Sequence, residues 1–421
     1  MTAALPMLQG IRVLDLTQIV AGPTCSRIMA ELGADVVKLE LAPFGDRTRV
    51  GGLKSRDPAY KASSRSTYYF QHNHSKRSLA LDIKHPRGLE IIRSLIPRFD
   101  VLVENFSPGV MARAGLSYDD LRKLNPGLVM CSISLAGQQG PLSTKPGYDY
   151  IAQAYAGITD LIGNPDGDPS LITMAIGDTA TGLTAAMAVG FALLHRERTG
   201  EGQHVETSLL DTYFQMHEVA VPRVGLRKGY TPTRTGSQHP DGGPTGIFRC
   251  GDGSYLTLAI LPHQWEAFAD ALGKPELLQD PRFATASLRR DNNEEIKAIL
   301  EGWLAGVGTR DRAIQHLDAY RIPCAPVLTL NQAIEHRHLR ERGTVRRVHD
   351  EAIGDFDIPG FPAKFSAWQP AGDLHAAALG EHNAEILQEF LGMSPEQIET
   401  LYDDKIIVQD KLVSRKKSAA S

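Results

Sequence analysis

Residues 10–40 read "GIRVLDLTQIVAGPTCSRIMAELGADVVKLE", and they contain the fold in miniature. "IRVLDLT" (11–17) is a run of leucine and β-branched residues that reads as a buried strand. "AGPTCSRIMAELGA" (21–34) reads as a short helix opening near Pro23, where a missing N–H costs nothing. "DVVKLE" (35–40) is the next strand. A strand, a helix of that length and a second strand make a βαβ crossover, which implies a mostly parallel sheet.

The same alternation continues outward. "SLALD" (78–82), "DVLVENF" (100–106), "LVMCSISLAG" (128–137) and "QHVETSL" (203–209) read as further strands, with a helix over "HPRGLEIIRSLIPRF" (85–99). Ser117 with Asp120 forms a capping pair opening "SYDDLRKLN". A long, nearly apolar helix follows Asp178 and ends in basic residues with Gly200 as its stop. Beyond residue 222 the chain turns rich in Gly, Pro, Arg and Thr. Residues 223–245 read as a linker and glycine loop between a large domain, 1–222, and a smaller α+β domain, 246–330. That domain opens with two strands around the Asp252–Gly253 turn. Residues 331–421 contain two more helices, the second capped by Ser394, and a basic, frayed tail at 415–421.

Composition narrows the functional classes. The chain has 421 residues, 42% apolar and 22% charged, with a formal net charge of −4. Those values suit a soluble globular protein and leave no basic field for nucleic acid. The longest apolar run, 183–194, is shorter than the roughly 20 residues a bilayer span needs. The N-terminus lacks a signal-peptide pattern, and the four scattered cysteines form no CxxC pair, so a reducing, cytoplasmic setting fits. No HExxH spacing exists, no metal site is expected, and His72 and His74 read as structural or surface residues.

Candidate chemistry lies at the strand ends, where open α/β sheets bind ligands. Neither a GxGxxG nor a GxxxxGK[ST] loop is present, so ordinary nucleotide binding lacks support. Asn105, the Pro108–Gly109 turn, Arg113, Lys76, Arg77 and Lys84 together suggest a groove offering amides and cations to a phosphate-bearing ligand. Asp178, ahead of its apolar helix, is on its own more often a helix cap than a catalyst.

Seven ordered blocks decide between those readings. They are residues 10–40, "GDR" (45–47), "NHSKRSLALDIKHPRG" (73–88), 100–129, "GYDYIAQAYAGI" (147–158), "GDTATG" (177–182) and "HRERTGEGQHVETSLLD" (195–211). In this order the chain resembles the class III CoA-transferase family, also called CaiB/BaiF. Formyl-CoA:oxalate and carnitine CoA-transferases belong to it, and α-methylacyl-CoA racemase is a relative.

The resemblance implies a Rossmann-like large domain built from both ends of the chain, an inserted small domain and an interlocked homodimer. It implies that Asp178 is a nucleophile. Coenzyme A, a substrate rather than a tightly bound cofactor, would contact Val20, Ala21, Leu81, Asp82, Ile83, Lys84, Asn105, Phe106, Ser107 and Arg113. Tyr148 matches an active-site aromatic residue, and Gly242 and Gly243 match a glycine-rich substrate loop.

The implied activity moves CoA from a donor, succinyl-CoA or a similar small acyl-CoA, to a carboxylic acid through an aspartyl anhydride and an aspartyl-CoA thioester. Gly177 and the Gly242–Gly243 pair would supply N–H donors to the thioester oxyanion. The alternative is a racemase or isomerase of the same fold, but Tyr148 stands where the racemases carry a histidine base. Arg223, Arg227 and Arg234 are candidates to pair a second carboxylate on the acceptor.

Overall fold

The computed structural model describes residues 5–54, 63–369, 374–411 and 413. The basic tail expected to fray, 415–421, lies outside the described residues. Contacts divide the chain into two compact units. The first comprises Met1–Ile158, Ile172–Val219 and Arg337–Ser421, the second Thr159–Leu171 and Ala220–His336.

The first unit is built on a sheet of six parallel strands. In chain order they are β1 (Arg12–Leu16), β2 (Asp35–Leu41), β3 (Arg77–Leu81), β4 (Val101–Glu104), β5 (Val129–Ser134) and β6 (His204–Ser208). They lie in the order β3-β2-β1-β4-β5-β6. The order reverses between β1 and β4, and the crevice beyond that reversal is the usual ligand site of such sheets. β4 ends at Glu104, so Asn105 and Phe106, read above as strand, belong to the loop facing that crevice.

Alternation along the strands builds two different faces. Leu14, Leu16, Val37, Leu39, Leu79 and Leu81 pack on one face against the Pro86–Leu95 and Asn383–Leu391 helices. Val13, Val36, Val101, Val103 and Cys131 pack on the other against the Ala21–Glu31 and Ile176–Thr199 helices. The Asn383 amide accepts from Ala80 N–H at 2.9 Å and donates to Val408 O at 2.8 Å, tying the C-terminal segment to β3.

On this second face, near the strand ends, the apolar residues give way to buried charge. Asp15 on β1 stands directly beside Lys38 on β2 in the parallel register. Lys76 Nζ donates to Asp15 at 3.0 Å, and Lys38 Nζ lies 3.0 Å from Asp46. Glu40 holds Arg49 through two hydrogen bonds, of 2.6 and 2.5 Å, and accepts from Tyr69 and Ser78. Burial pushes the Asp15 and Glu40 carboxyls up, but the adjoining cations outweigh it and hold each at about 2.

The Ile176–Thr199 helix runs for 24 residues, beyond the 183–194 run, and by length and apolarity alone is long enough to cross a membrane. Its Ala185, Val189, Ala192 and Leu193 are buried in the second face of the core. A hairpin of β10 (Val345–Asp350) and β11 (Gly354–Pro359), not foreseen from sequence, also belongs to this unit.

The second unit carries an antiparallel sheet of β7 (Thr245–Arg249), β8 (Tyr255–Ala259) and β9 (Cys324–Pro326). Phe248, Leu256, Phe268 and Leu300 form part of its core. Ala220–Leu226, at the start of the stretch read as a linker, is helical despite Pro222 and Gly225.

The ion cluster makes a specific stability prediction. Asp15→Asn leaves two buried ammonium groups short of a counter-charge, which should cost about 3–5 kcal/mol in urea unfolding. Because the folded carboxyls titrate near 2, below their unfolded values, their stabilisation is complete above about pH 4. It is lost as pH falls from about 4 to about 2. A loss below about 1 kcal/mol would mean that the cluster is not structural.

Candidate active site

Asp178 stands in the first turn of the Ile176–Thr199 helix, but it is not the cap. The N-cap is Ala175, and no side chain caps that position. Asp149 caps from outside: its Oδ2 accepts from the Asp178 N–H at 2.8 Å, and its Oδ1 accepts from the Tyr213 phenol. Tyr213 is fully buried and lies directly under Gly177, where an added Cβ would come within 2.1 Å of the ring. Glycine is required there by packing. The sequence offered Gly177 to the oxyanion, and the reason for glycine that the structure shows is its packing against the Tyr213 ring.

The Asp178 carboxylate therefore has its backbone fixed and its oxygens free. Among the described residues, no hydrogen bond or ion pair engages them. Burial, followed by the neighbouring Asp149 charge, pushes its pKa up to about 7. Perturbation of this kind is typical of reactive groups.

Tyr68 lies within the electrostatic reach of this carboxylate, and Tyr148 and Tyr150 flank Asp149 in the chain. Tyr148 directly precedes Asp149, is exposed, and accepts from Arg47 Nη1 at 3.4 Å. Tyr68 is raised by burial and then by the charges of Asp178 and Asp46. Gly51 gives its ring room, since a Cβ there would meet the ring at 3.0 Å, and Gly52 lets the chain pass Tyr68 Cβ and N, each 2.9 Å from where its own Cβ would stand. Tyr150 donates to Thr173 O at 2.9 Å, tying the Asp149–Tyr155 helix to the segment leading into Gly177.

The strand-end segments converge along one edge of the parallel sheet. Val20 and Ala21 follow β1, Leu81, Asp82, Ile83 and Lys84 run out of β3, and Asn105, Phe106 and Ser107 follow β4. The Asn105 amide pairs with both backbone groups of Gln18 at 2.8 Å, so its side chain clamps two loops. Glu104 accepts from the Phe106 N–H at 2.8 Å, and burial raises its carboxyl to about 7. Arg113 is exposed beside Gly109, with no carboxylate partner among the described residues. Lys84 is also exposed.

Several expected contributors are already engaged. Lys76 is buried against Asp15, and Arg77 is held by Asp35, Glu385 and Glu389, so neither is available to a phosphate. His72 and His74 are buried, as is Asn73 between them. Gly242 and Gly243 belong to the second unit, where Gly243 is buried against the Arg289 carbonyl, 2.9 Å from where its Cβ would stand. Arg223 pairs with Asp241 and Arg234 with Asp160 in that same unit.

Residues 8–383 match the profile of CoA-transferase family III. The chain belongs to CoA-transferase family III. It is 31% identical over 401 residues to succinyl-CoA–D-citramalate CoA-transferase of Chloroflexus aurantiacus, covering 95% of this chain and 98% of that protein. It is 34% identical to formyl-CoA:oxalate CoA-transferase of Bradyrhizobium, covering 94% and 96% of the two. Succinate–glutarate CoA-transferase of Agrobacterium fabrum is also 34% identical, with 91% and 96% covered. A crystal structure of a CAIB/BAIF family protein from Brucella suis superposes with a TM-score of 0.78 at 32% identity, covering 91% and 99% of the two chains.

For a family III transferase, sequence reasoning missed Tyr68, Tyr213 and the work of Asp149. Only Asp149 carried a signal, as an acid beside Tyr148 in the "GYDY" block.

The elevated Asp178 carboxyl predicts an antagonism between stability and charge. A carboxyl whose folded pKa exceeds its unfolded value favours the fold below about pH 4, and that contribution is lost as pH rises through about 7. Asp178→Asn should therefore raise the melting temperature more at pH 8 than at pH 5. An equal shift at both would mean that Asp178 does not titrate near neutrality.

Proposed function

We propose that this family III enzyme moves CoA from a small acyl-CoA, with succinyl-CoA the first candidate, to a carboxylic acid, with Asp178 as the nucleophile. The observation that carries this reading is a half-buried carboxylate with fixed backbone and unengaged oxygens, in the first turn of a core helix and within the electrostatic reach of Tyr68. In the first step an Asp178 oxygen attacks the thioester carbonyl, and the C–S bond breaks to give a mixed anhydride and CoA thiolate. The thiolate then attacks the aspartyl carbonyl, releasing the donor acid and leaving an aspartyl-CoA thioester. An acceptor carboxylate attacks that thioester, and the returning thiolate takes the new acyl group. No net proton is consumed, and Asp178 is regenerated as a carboxylate.

The deprotonated form is the one that attacks, so transfer should fall as pH drops through about 7. Val20, Ala21, the Leu81–Lys84 turn, the 105–107 loop and Arg113 are proposed to hold CoA, with Arg113 and Lys84 answering its phosphates. Leu183, Met187, Phe191 and Leu194 form an exposed apolar stripe on the long helix. This stripe supports association with a second copy, in keeping with the homodimer implied by the resemblance. Sedimentation at micromolar concentration should return a dimer, and a folded monomer would contradict it.

Asp178→Asn should abolish transfer while retaining CoA affinity, because the amide keeps its size but not its nucleophilicity. Arg113→Ala should do the reverse at the binding step and weaken CoA affinity in calorimetry. Near-normal turnover by the asparagine variant would remove Asp178 from the chemistry.

A further inference from the structure

The cations of the buried ion cluster and the turn beside it differ in one respect. Lys38, Arg49, Lys76 and Arg65 are each paired with a carboxylate of the protein. Arg47 is not. Its guanidinium is exposed, and among the described residues its only recorded side-chain hydrogen bond is the 3.4 Å donation to the Tyr148 oxygen.

Both members of this pair are set on fixed supports. Arg47 directly follows Asp46, whose Oδ1 accepts from Thr48 N–H at 2.9 Å and from Ile19 N–H at 3.2 Å, while Lys38 holds its Oδ2. The Asp46 N–H donates to Glu40 at 3.0 Å. Arg47 thus projects from a turn anchored in the buried ion cluster. Tyr148 directly precedes Asp149, which is locked to the Asp178 N–H and to Tyr213. Tyr68 lies within the electrostatic reach of both Asp178 and Asp46, so the turn and the nucleophile stand around one phenol.

Resting on the reading of Asp178 as the nucleophile, we propose that Arg47 and Tyr148 form a subsite for the distal carboxylate of the acyl group. The enzyme's substrates are then dicarboxylic acids and their mono-CoA thioesters. Asp178 and Asp149 place two carboxylates at the reacting end, and a substrate bearing a free carboxylate is repelled unless a cation answers it. A guanidinium and a phenol O–H present convergent donors that match a carboxylate's two oxygens. A monocarboxylic acyl group leaves these donors without a partner, and sites built to bind a polar group reject analogues that lack it. Of the second-unit arginines considered for this role, Arg223 and Arg234 already have carboxylate partners, whereas Arg227 has none among the described residues.

The test compares acids of equal length, glutarate against pentanoate and adipate against hexanoate, as acceptors from one common donor, succinyl-CoA. It uses the full-length wild type, Arg47→Met and Arg47→Lys. The ratio of kcat/KM for each dicarboxylate over its monocarboxylate should favour the dicarboxylate in the wild type. It should fall about tenfold to about a hundredfold in Arg47→Met, the range expected for losing hydrogen bonds to a charged group. Arg47→Lys should recover part of it. Calorimetric binding of glutarate to the CoA-loaded enzyme gives a readout independent of turnover and should weaken in Arg47→Met.

An unchanged ratio, or a wild type without preference for dicarboxylates, overturns the subsite and leaves the Asp178 chemistry standing. Transfer absent with every acid, while glutarate binding still depends on Arg47, overturns the transferase reading and retains the subsite. Glutarate binding that ignores Arg47 overturns the subsite whether or not transfer is seen.

Discussion

The contact on which the site depends is the double acceptance by Asp149, from the Asp178 N–H at 2.8 Å through one oxygen and from the buried Tyr213 phenol through the other. It fastens the start of one helix to the start of another, with a third supplying the phenol. The same carboxylate faces Asp178 electrostatically. Asp149 thus positions Asp178 and, after burial, opposes its ionisation. In the proposed role of nucleophile, a carboxylate held in this way is fixed in place yet stabilised by no bond that would have to be broken before it attacks.

A second constraint lies behind it. Asp15, Lys38, Lys76, Asp46, Glu40 and Arg49 form one buried group of charges at the ends of the first strands, and each is answered within it. Through Asp46 this cluster holds Ile19, a β-branched residue at φ 73°, in the left-handed region that such residues avoid. Backbone held in that region costs on the order of 1–3 kcal/mol and persists only where the surroundings determine it. Here the strained residue sits in the loop between β1 and the helix that starts at Ala21, beside the sheet's order reversal, where Gln18 is also clamped by Asn105. Charge burial, loop shape and the proposed CoA crevice are parts of one construction.

The sheet was legible in the sequence because its strands are near-continuous apolar runs separated by helix-length stretches. Ser117, Ser394 and the Asp252–Gly253 turn were legible because their roles are local. Lys76 was misread because its partner, Asp15, lies 61 residues away, and a basic stretch looks solvated until the fold buries it. Gly177 was assigned to an oxyanion because its actual reason, the Tyr213 ring, comes from a later helix. The β10–β11 hairpin was missed because charged residues interrupt its alternation. The helix at Ala220–Leu226 defies its own proline and glycine. Asp178 itself stood in the sequence with two roles open, and the structure removes the cap by giving that duty to Asp149.

The central claim is that the carbonyl carbon of Asp178 becomes covalently activated during transfer. The most direct measurement incubates the wild-type enzyme with succinyl-CoA in the absence of acceptor, quenches with hydroxylamine, and maps the modified peptide by mass spectrometry. Hydroxylamine attacks an activated aspartyl carbonyl and leaves a hydroxamate in place of the carboxylate. The account predicts that hydroxamate on Asp178, formed only when acyl-CoA is present. An unmodified Asp178 under conditions that support turnover, or a hydroxamate on Asp149 instead, would contradict it.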